Sequence, residues 1–210
     1  MRVRPTTSEN LVAELTETIT RRARPPGTRI ALDGHPVSGT RELTDSLVRT
    51  LRVAGVRAVR VGMWDYLRPA SLRFERGRHN PEGLREDWFD LAGLSREVLT
   101  PLAPGGSGHV LPALWDPDRD RSPRLARTDL GERGMALVEG PLLLGHGLDF
   151  DFTVHLWVSE KVLHRRTPVE DRWQLPAFAE YARRTRPERT ADRVIRMDHP
   201  ERPAVVDALD

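Results

Sequence analysis

The sequence predicts an α/β domain: a mostly parallel sheet with helices packed on both of its faces. Three observations carry that prediction. Short apolar runs at residues 28–33, 56–63, 135–140 and 152–158 alternate with segments of helical period, the order of a parallel sheet covered on both sides. Leu43, Leu47, Val48 and Leu51 line one face of the segment after the first of these runs. Between that run and its helix lies Gly34-His35-Pro36-Val37-Ser38-Gly39-Thr40-Arg41, two glycines at the spacing of a phosphate-binding loop. Sheets of this kind place their ligands beyond the carboxyl ends of the strands.

Each element follows from local chemistry. Thr6 to Glu9 reads as a capping box, and Leu11, Val12, Leu15 and Ile19 follow at helical spacing, which predicts a helix over 8–22. Arg24-Pro25-Pro26-Gly27 stops it. A strand over 28–33 runs into the glycine loop, a helix over 39–54 ends at Gly55, and a second strand covers 56–63. A helical stretch spans 81–101, a Pro/Gly break 101–108, a strand-like run 109–115 and a polar loop 116–129. Met135-Ala136-Leu137-Val138-Glu139-Gly140 is a strand with an acid at its end, and a strand over 152–158 enters a helix at 159–167. With no internal repeat or linker, residues 1–210 read as one domain: N-terminal helix, core over 28–164, a lid region over 165–190, and a terminal strand and tail over 191–210.

Composition narrows the function classes. The chain has 210 residues, 38% apolar and 30% charged, with a formal net charge of only +2. Arginines and acids alternate without a long run of one sign, which reads as solvated faces rather than a nucleic-acid groove, so no nucleic-acid partner is expected. The absence of cysteine excludes disulfides, thiolate metal sites and cysteine nucleophiles. No run approaches the ~18 apolar residues of a membrane span, so a cytoplasmic protein without a membrane partner is expected. Asp116, Asp118 and Asp120 open like a calcium loop, but Arg121 and Arg127 stand where its glycine and glutamate belong. The histidines offer no zinc-ligand pair, and His155, in an apolar strand, reads as a structural residue. Trp88, Trp115 and Trp157 read as core or pocket wall.

The glycine loop departs from its pattern at the positions that carry charge. The pattern continues Gly-Lys-Ser/Thr, whereas here Thr40 takes the lysine position and Arg41 that of the magnesium-binding hydroxyl; Lys161 is the only lysine in the chain. Arg41 either reaches a phosphate with bidentate geometry or points into solvent from the first helical turn. His35 either donates to a phosphate or faces solvent. Pro36 removes one N–H donor from the cradle.

With these elements placed, the chain resembles the uridine kinase branch of the phosphoribulokinase and uridine kinase family over residues 10–206. The resemblance rests on Ala31-Leu32-Asp33-Gly34, Trp64-Asp65-Tyr66-Leu67-Arg68-Pro69, Arg76-Gly77-Arg78-His79-Asn80-Pro81-Glu82-Gly83, Asp87-Trp88-Phe89-Asp90, Val138-Glu139-Gly140-Pro141-Leu142-Leu143-Leu144 and Phe150-Asp151-Phe152-Thr153-Val154. It implies a P-loop NTPase three-layer sandwich with a small helical lid, and ATP- and Mg2+-dependent phosphorylation of a nucleoside hydroxyl. Carried onto this chain, it implies ATP contacts from Gly34, His35, Ser38, Gly39, Thr40 and Arg41 and from Arg165 and Arg166 of the lid. It implies a metal site from Glu139, with Thr40 supplying the hydroxyl in an altered register, and substrate contacts from Asp65, Tyr66, Asp87 and Asp116. The proton-accepting aspartate aligns with Trp64, which leaves Asp65, together with Arg41, as the candidate catalytic pair. Val37 stands where relatives carry glycine; if that position needs positive φ, its strain is ~1–3 kcal/mol. Glu170 stands where the lid presents an arginine, and the cluster Arg183, Arg184, Arg186 and Arg189 reads as an exposed basic face.

Loss of one preorganised charge donor slows such a reaction by roughly 10²–10³, and loss of a base by about 10²–10⁴. Three readings stay open: a divergent nucleoside kinase using Arg41, Asp65 and Glu139; a non-catalytic relative that binds a nucleotide or nucleoside and acts through a protein partner; and a structural subunit that binds neither. Self-association is also left open.

Overall fold

In the computed structural model, which describes residues 2–207, the strands are β1 (Arg2–Pro5), β2 (Gly27–Gly34), β3 (Ala58–Gly62), β4 (His109–Val110), β5 (Thr128–Asp129), β6 (Gly134–Gly140), β7 (Phe152–Trp157), β8 (Arg193–Arg196) and β9 (Ala204–Asp207). Seven of them form one sheet in the order β1-β9-β8-β7-β2-β6-β3, and β4 and β5 make a separate antiparallel pair. Within the sheet β9 alone runs against the rest, so the centre is parallel. The helices are α1 (Ser8–Arg21), α2 (Thr40–Val53), α3 (Ala70–Arg73), α4 (Pro81–Glu86), α5 (Leu91–Leu94), α6 (Glu160–Arg166), α7 (Leu175–Thr185) and α8 (Pro187–Thr190).

Alternate residues of each central strand feed two cores. Ile30 and Leu32 of β2 join Leu137, Val154 and Ile195 beneath α1, α2 and α6. Ala31 points the other way, into a core that Val61 and Val138 share with Leu84 of α4, Leu94 of α5 and Phe178 of α7. Every residue of β2 and β6 is buried, which explains why these strands read as continuous runs rather than as an alternation. The chain leaves β2 toward β3 on one side and later places β7 on its other side, so the carboxyl end of β2 is the switch point where a crevice opens. Among the described residues no helix is long and apolar enough to cross a membrane.

Four expectations need correction. The cap of α1 is Thr7, not the Thr6 to Glu9 box: the Thr7 hydroxyl accepts from the Asn10 N–H at 3.2 Å. Thr7→Ala is therefore expected to cost about 1 kcal/mol in urea denaturation, and Thr6→Ala distinctly less. The stretch 81–101 is not one helix. Residues 87–90 leave helical geometry because they pair with the chain after β3: Arg68 N–H to Trp88 carbonyl at 2.8 Å, and Asp90 N–H to Tyr66 carbonyl at 2.7 Å. The Asp90 carboxylate then caps α5 through the Gly93 N–H at 2.7 Å.

Residues 111–115 are not strand either. The Leu114 and Trp115 N–H groups both donate to the Asp65 carbonyl, at 2.9 and 3.0 Å, and the Leu111 N–H to the Glu97 carbonyl at 3.0 Å. That last carbonyl is available because Pro101, four residues on, has no N–H to offer it. Finally, the C-terminal segment supplies two strands, β8 and β9, and the second is paired by β1, a four-residue strand the periodicity does not reveal.

Candidate functional site

The carboxyl end of β2 runs through Gly34 into a 3-10 turn, Pro36–Ser38, and then into α2. Gly34 is required by packing: a Cβ there would sit 2.6 Å from the Ser38 hydroxyl oxygen and 3.0 Å from the Leu156 carbonyl. Gly39 is required by conformation, since it caps α2 at φ 83° in the left-handed region. Val37 is not among the residues with positive φ, so the strain expected of a β-branched side chain does not arise; the loop has taken a different shape.

That shape uses up part of the cradle. The Val37 N–H donates to His35 Nδ1 at 3.2 Å, the Ser38 N–H to the His35 carbonyl at 2.8 Å, and Pro36 has none to give. What the loop offers an anion is the first turn of α2, the N–H groups of Thr40, Arg41 and Glu42, with no side-chain cap at Gly39. Arg41 is exposed on that turn. On the α1 side of the loop opens a hollow of about 430 Å³ lined by Leu11, Ser38, Gly39, Glu42, Met197 and Pro200 among others, but not by Thr40 or Arg41.

Behind the loop three charged groups close around Gly62. Glu139, at the end of β6, lies level with Leu32 of β2 and Gly62 of β3. Its Oε2 accepts from the Thr40 hydroxyl at 3.1 Å and its Oε1 from Arg60 Nη1 at 2.9 Å. Arg60 also pairs through Nε with Asp45 of α2 at 3.0 Å. A Cβ at Gly62 would fall 2.8 Å from Asp65 Oδ2, 3.2 Å from Arg60 Nη1 and 3.3 Å from Glu139 Oε1, so glycine is what lets these groups approach. Burial pushes the Glu139 carboxyl above its ordinary range, opposed by Arg60, Thr40 and Arg41. It pushes Asp65 up as well, against Arg60, Arg41 and a Gly62 hydrogen bond.

A magnesium ion does not fit this arrangement. Both Glu139 oxygens are engaged, one by a guanidinium, and Arg41 adds a second positive charge at the position of the expected hydroxyl. Among the described residues no group of three His, Cys, Asp or Glu side chains is arranged to hold a metal.

The other sequence-derived candidates are dispersed. Tyr66 is fully buried, its hydroxyl donating to the Leu111 carbonyl. Asp87 pairs with Arg76 at 3.2 Å. Asp116 receives the N–H groups of Asp118 and Arg119, each at 3.1 Å, within its own turn. Arg166 donates to the carbonyls of Met197 at 2.9 Å and Asp198 at 2.6 Å, while Arg165 is exposed at the end of α6. His35 is 7% exposed and packs on Phe178 with ring centroids 4.2 Å apart, so it does not face solvent. The Ser38 hydroxyl is buried without a partner.

Two groups escaped sequence reasoning. One is Arg60, whose signal is a charged residue between Val59 and Val61 in an otherwise apolar strand, a position that demands a counter-ion. The other is Asp33, completely buried, which accepts from the Leu143 N–H at 2.9 Å and lies 2.7 Å from His155 Nδ1.

No protein-family model and no curated protein matches the chain. Solved structures do. A possible uridine kinase from Bacillus stearothermophilus superposes with a TM-score of 0.71 at 20% identity, covering 89% of this chain and 97% of that one. The fold is that of the uridine kinase-like P-loop kinases. A possible fructose transport system kinase from Silicibacter sp. TM1040 shares this fold more distantly, with a TM-score of 0.53 at 24% identity over 83% of this chain and 89% of that one. In this chain the glycine loop leads into the N-terminus of α2, and Glu139 stands at the end of the neighbouring strand.

Proposed function

We propose that this chain is a uridine kinase-like protein that binds a nucleotide or nucleoside without carrying out magnesium-dependent phosphoryl transfer. The observation that carries the proposal is the double engagement of Glu139 by Arg60 and Thr40. Phosphoryl transfer depends on charge stabilisation, supplied in P-loop enzymes by a lysine and a magnesium ion, with another residue orienting the nucleophile. Here the loop has no lysine, and the acid on which the ion would rest already carries a guanidinium. At the position of the base stands Trp64, packed edge-on against Phe89 with ring centroids 5.4 Å apart.

Binding retains more support than turnover. The uncapped start of α2 and Arg41 offer donors to a phosphate. The hollow on the α1 side of the loop, bounded by Ser38 and Gly39 but not by Arg41, measures about 430 Å³, within the usual size range of small-ligand pockets, roughly 300–1,000 Å³.

The test is γ-phosphate transfer from radiolabelled ATP to uridine and cytidine in magnesium buffer, run beside a thermal-shift titration with the same ligands. Transfer at background together with a saturable rise in Tm is the expected result. Turnover within the ~1–100 s⁻¹ of working kinases would overturn the catalytic half. The absence of any ligand-induced shift would overturn the binding half.

A further inference from the structure

Arg60 does more than neutralise a neighbour. It stands on the face of β3 turned toward α2, diagonal to Glu139 across the β3–β6 pairing, where Arg60 lies level with Leu137 and Gly62 with Glu139. Its guanidinium touches Glu139 at 2.9 Å and Asp45 at 3.0 Å, with side-chain exposures of 23% for Arg60 and 6% for Glu139. A direct contact of that length leaves no space for an ion between the two groups. A magnesium ion sits ~2.0–2.1 Å from each oxygen ligand and would face the guanidinium as a like charge. The Thr40 hydroxyl takes one acceptor position on the other oxygen.

We infer that Arg60 is the site's resident cation: it holds Glu139 where a divalent metal would otherwise rest, and the site takes a phosphate-bearing ligand as the free anion rather than as its magnesium complex. The phosphate would meet the first turn of α2 and Arg41. This second clause rests on the binding half of the function proposed above; the first does not.

The two are separable by experiment. Manganese, a paramagnetic stand-in for magnesium, is titrated by electron paramagnetic resonance into the wild type, Arg60→Gln, and the double variant Arg60→Gln/Glu139→Gln. Arg60→Gln is expected to bind one manganese at least about tenfold more tightly than the wild type, and the double variant to lose that gain. Equal manganese affinity in the wild type and Arg60→Gln would overturn the inference, whether both bind or neither does. In parallel, pyrophosphate is titrated calorimetrically into the wild type in EDTA and in excess magnesium. Because excess magnesium converts most of the pyrophosphate into its complex, weaker apparent binding in magnesium supports the free-anion clause, and equal or tighter binding overturns it. No pyrophosphate binding under either condition overturns that clause and counts against the proposed function, while the manganese result still decides the role of Arg60. If Arg60→Gln does not fold, Arg60→Lys keeps a cation at the position. It is then expected to exclude manganese as the wild type does, and manganese binding by it that Glu139→Gln abolishes would overturn the inference.

Discussion

Asp151→Ala is expected to destabilise the protein by about 3–5 kcal/mol, the usual result of stripping one partner from a buried ion pair. Asp151 and Arg29 are only 4% and 6% exposed at their side chains. The carboxylate accepts from Arg29 Nη2 at 2.8 Å, from Nε at 3.0 Å and from the Arg29 backbone N–H at 2.8 Å, and Arg24 reaches it as well. These bonds fasten the start of β2 to the segment entering β7, and alanine would remove all of them at once. Arg29 would keep the exposed Asp149, at 2.8 Å, which places the loss toward the lower end of the range. Burial works against the Asp151 charge but the bonds from Arg29 outweigh it, so its carboxyl lies below the ordinary 3.8. Its contribution is accordingly in force above that value and fades as pH falls through the folded one. Urea denaturation at neutral pH measures the loss; a change under 1 kcal/mol would contradict this account of the pair.

His35 sets the second large effect. Burial lowers its imidazole from 6.5 to about 4, and its Nδ1 already accepts from the Val37 N–H. Below pH 6.5 the unfolded chain takes up a proton that the folded chain refuses. Stability is therefore complete above 6.5 and declines as pH falls toward 4, by roughly 3 kcal/mol at about 1.4 kcal/mol per pH unit. Asparagine at this position has an oxygen with which to accept the Val37 N–H and cannot titrate. The difference in unfolding free energy between wild type and His35→Asn should thus shift by that amount between pH 7 and pH 4. Parallel curves would show that His35 is not the group responsible.

Much of the fold was legible because local and global preferences agree. Leu43, Leu47, Val48 and Leu51 recur at helical period and do face one core, and the runs at β2, β6 and β7 are apolar because both sheet faces are covered. The segment 81–101 was misread where tertiary pairing took precedence: its local sequence is compatible with helix, and only the proximity of Tyr66 and Arg68 draws residues 87–90 out of it.

The site was legible by position rather than by chemistry. The glycine spacing located the loop, and Glu139 was placed at the end of its strand. The partner that occupies Glu139, Arg60, lies 79 residues away in the chain, and no loop pattern refers to it. Thr40 was considered a metal ligand from the register of the motif, whereas its hydroxyl donates to the carboxylate itself. His35 was open between phosphate and solvent, because its burial depends on Phe178 of α7, an element whose packing the loop sequence does not encode.

The central claim is that the arginine-held carboxylate has taken this site out of magnesium chemistry while leaving a place for a phosphate. Calorimetric titration of ATP into the wild-type protein, once in EDTA and once in excess magnesium, tests it most directly. Saturable binding in EDTA that is distinctly weaker in excess magnesium, where most of the ATP is the magnesium complex, is the expected result. Binding as tight or tighter in magnesium would contradict it.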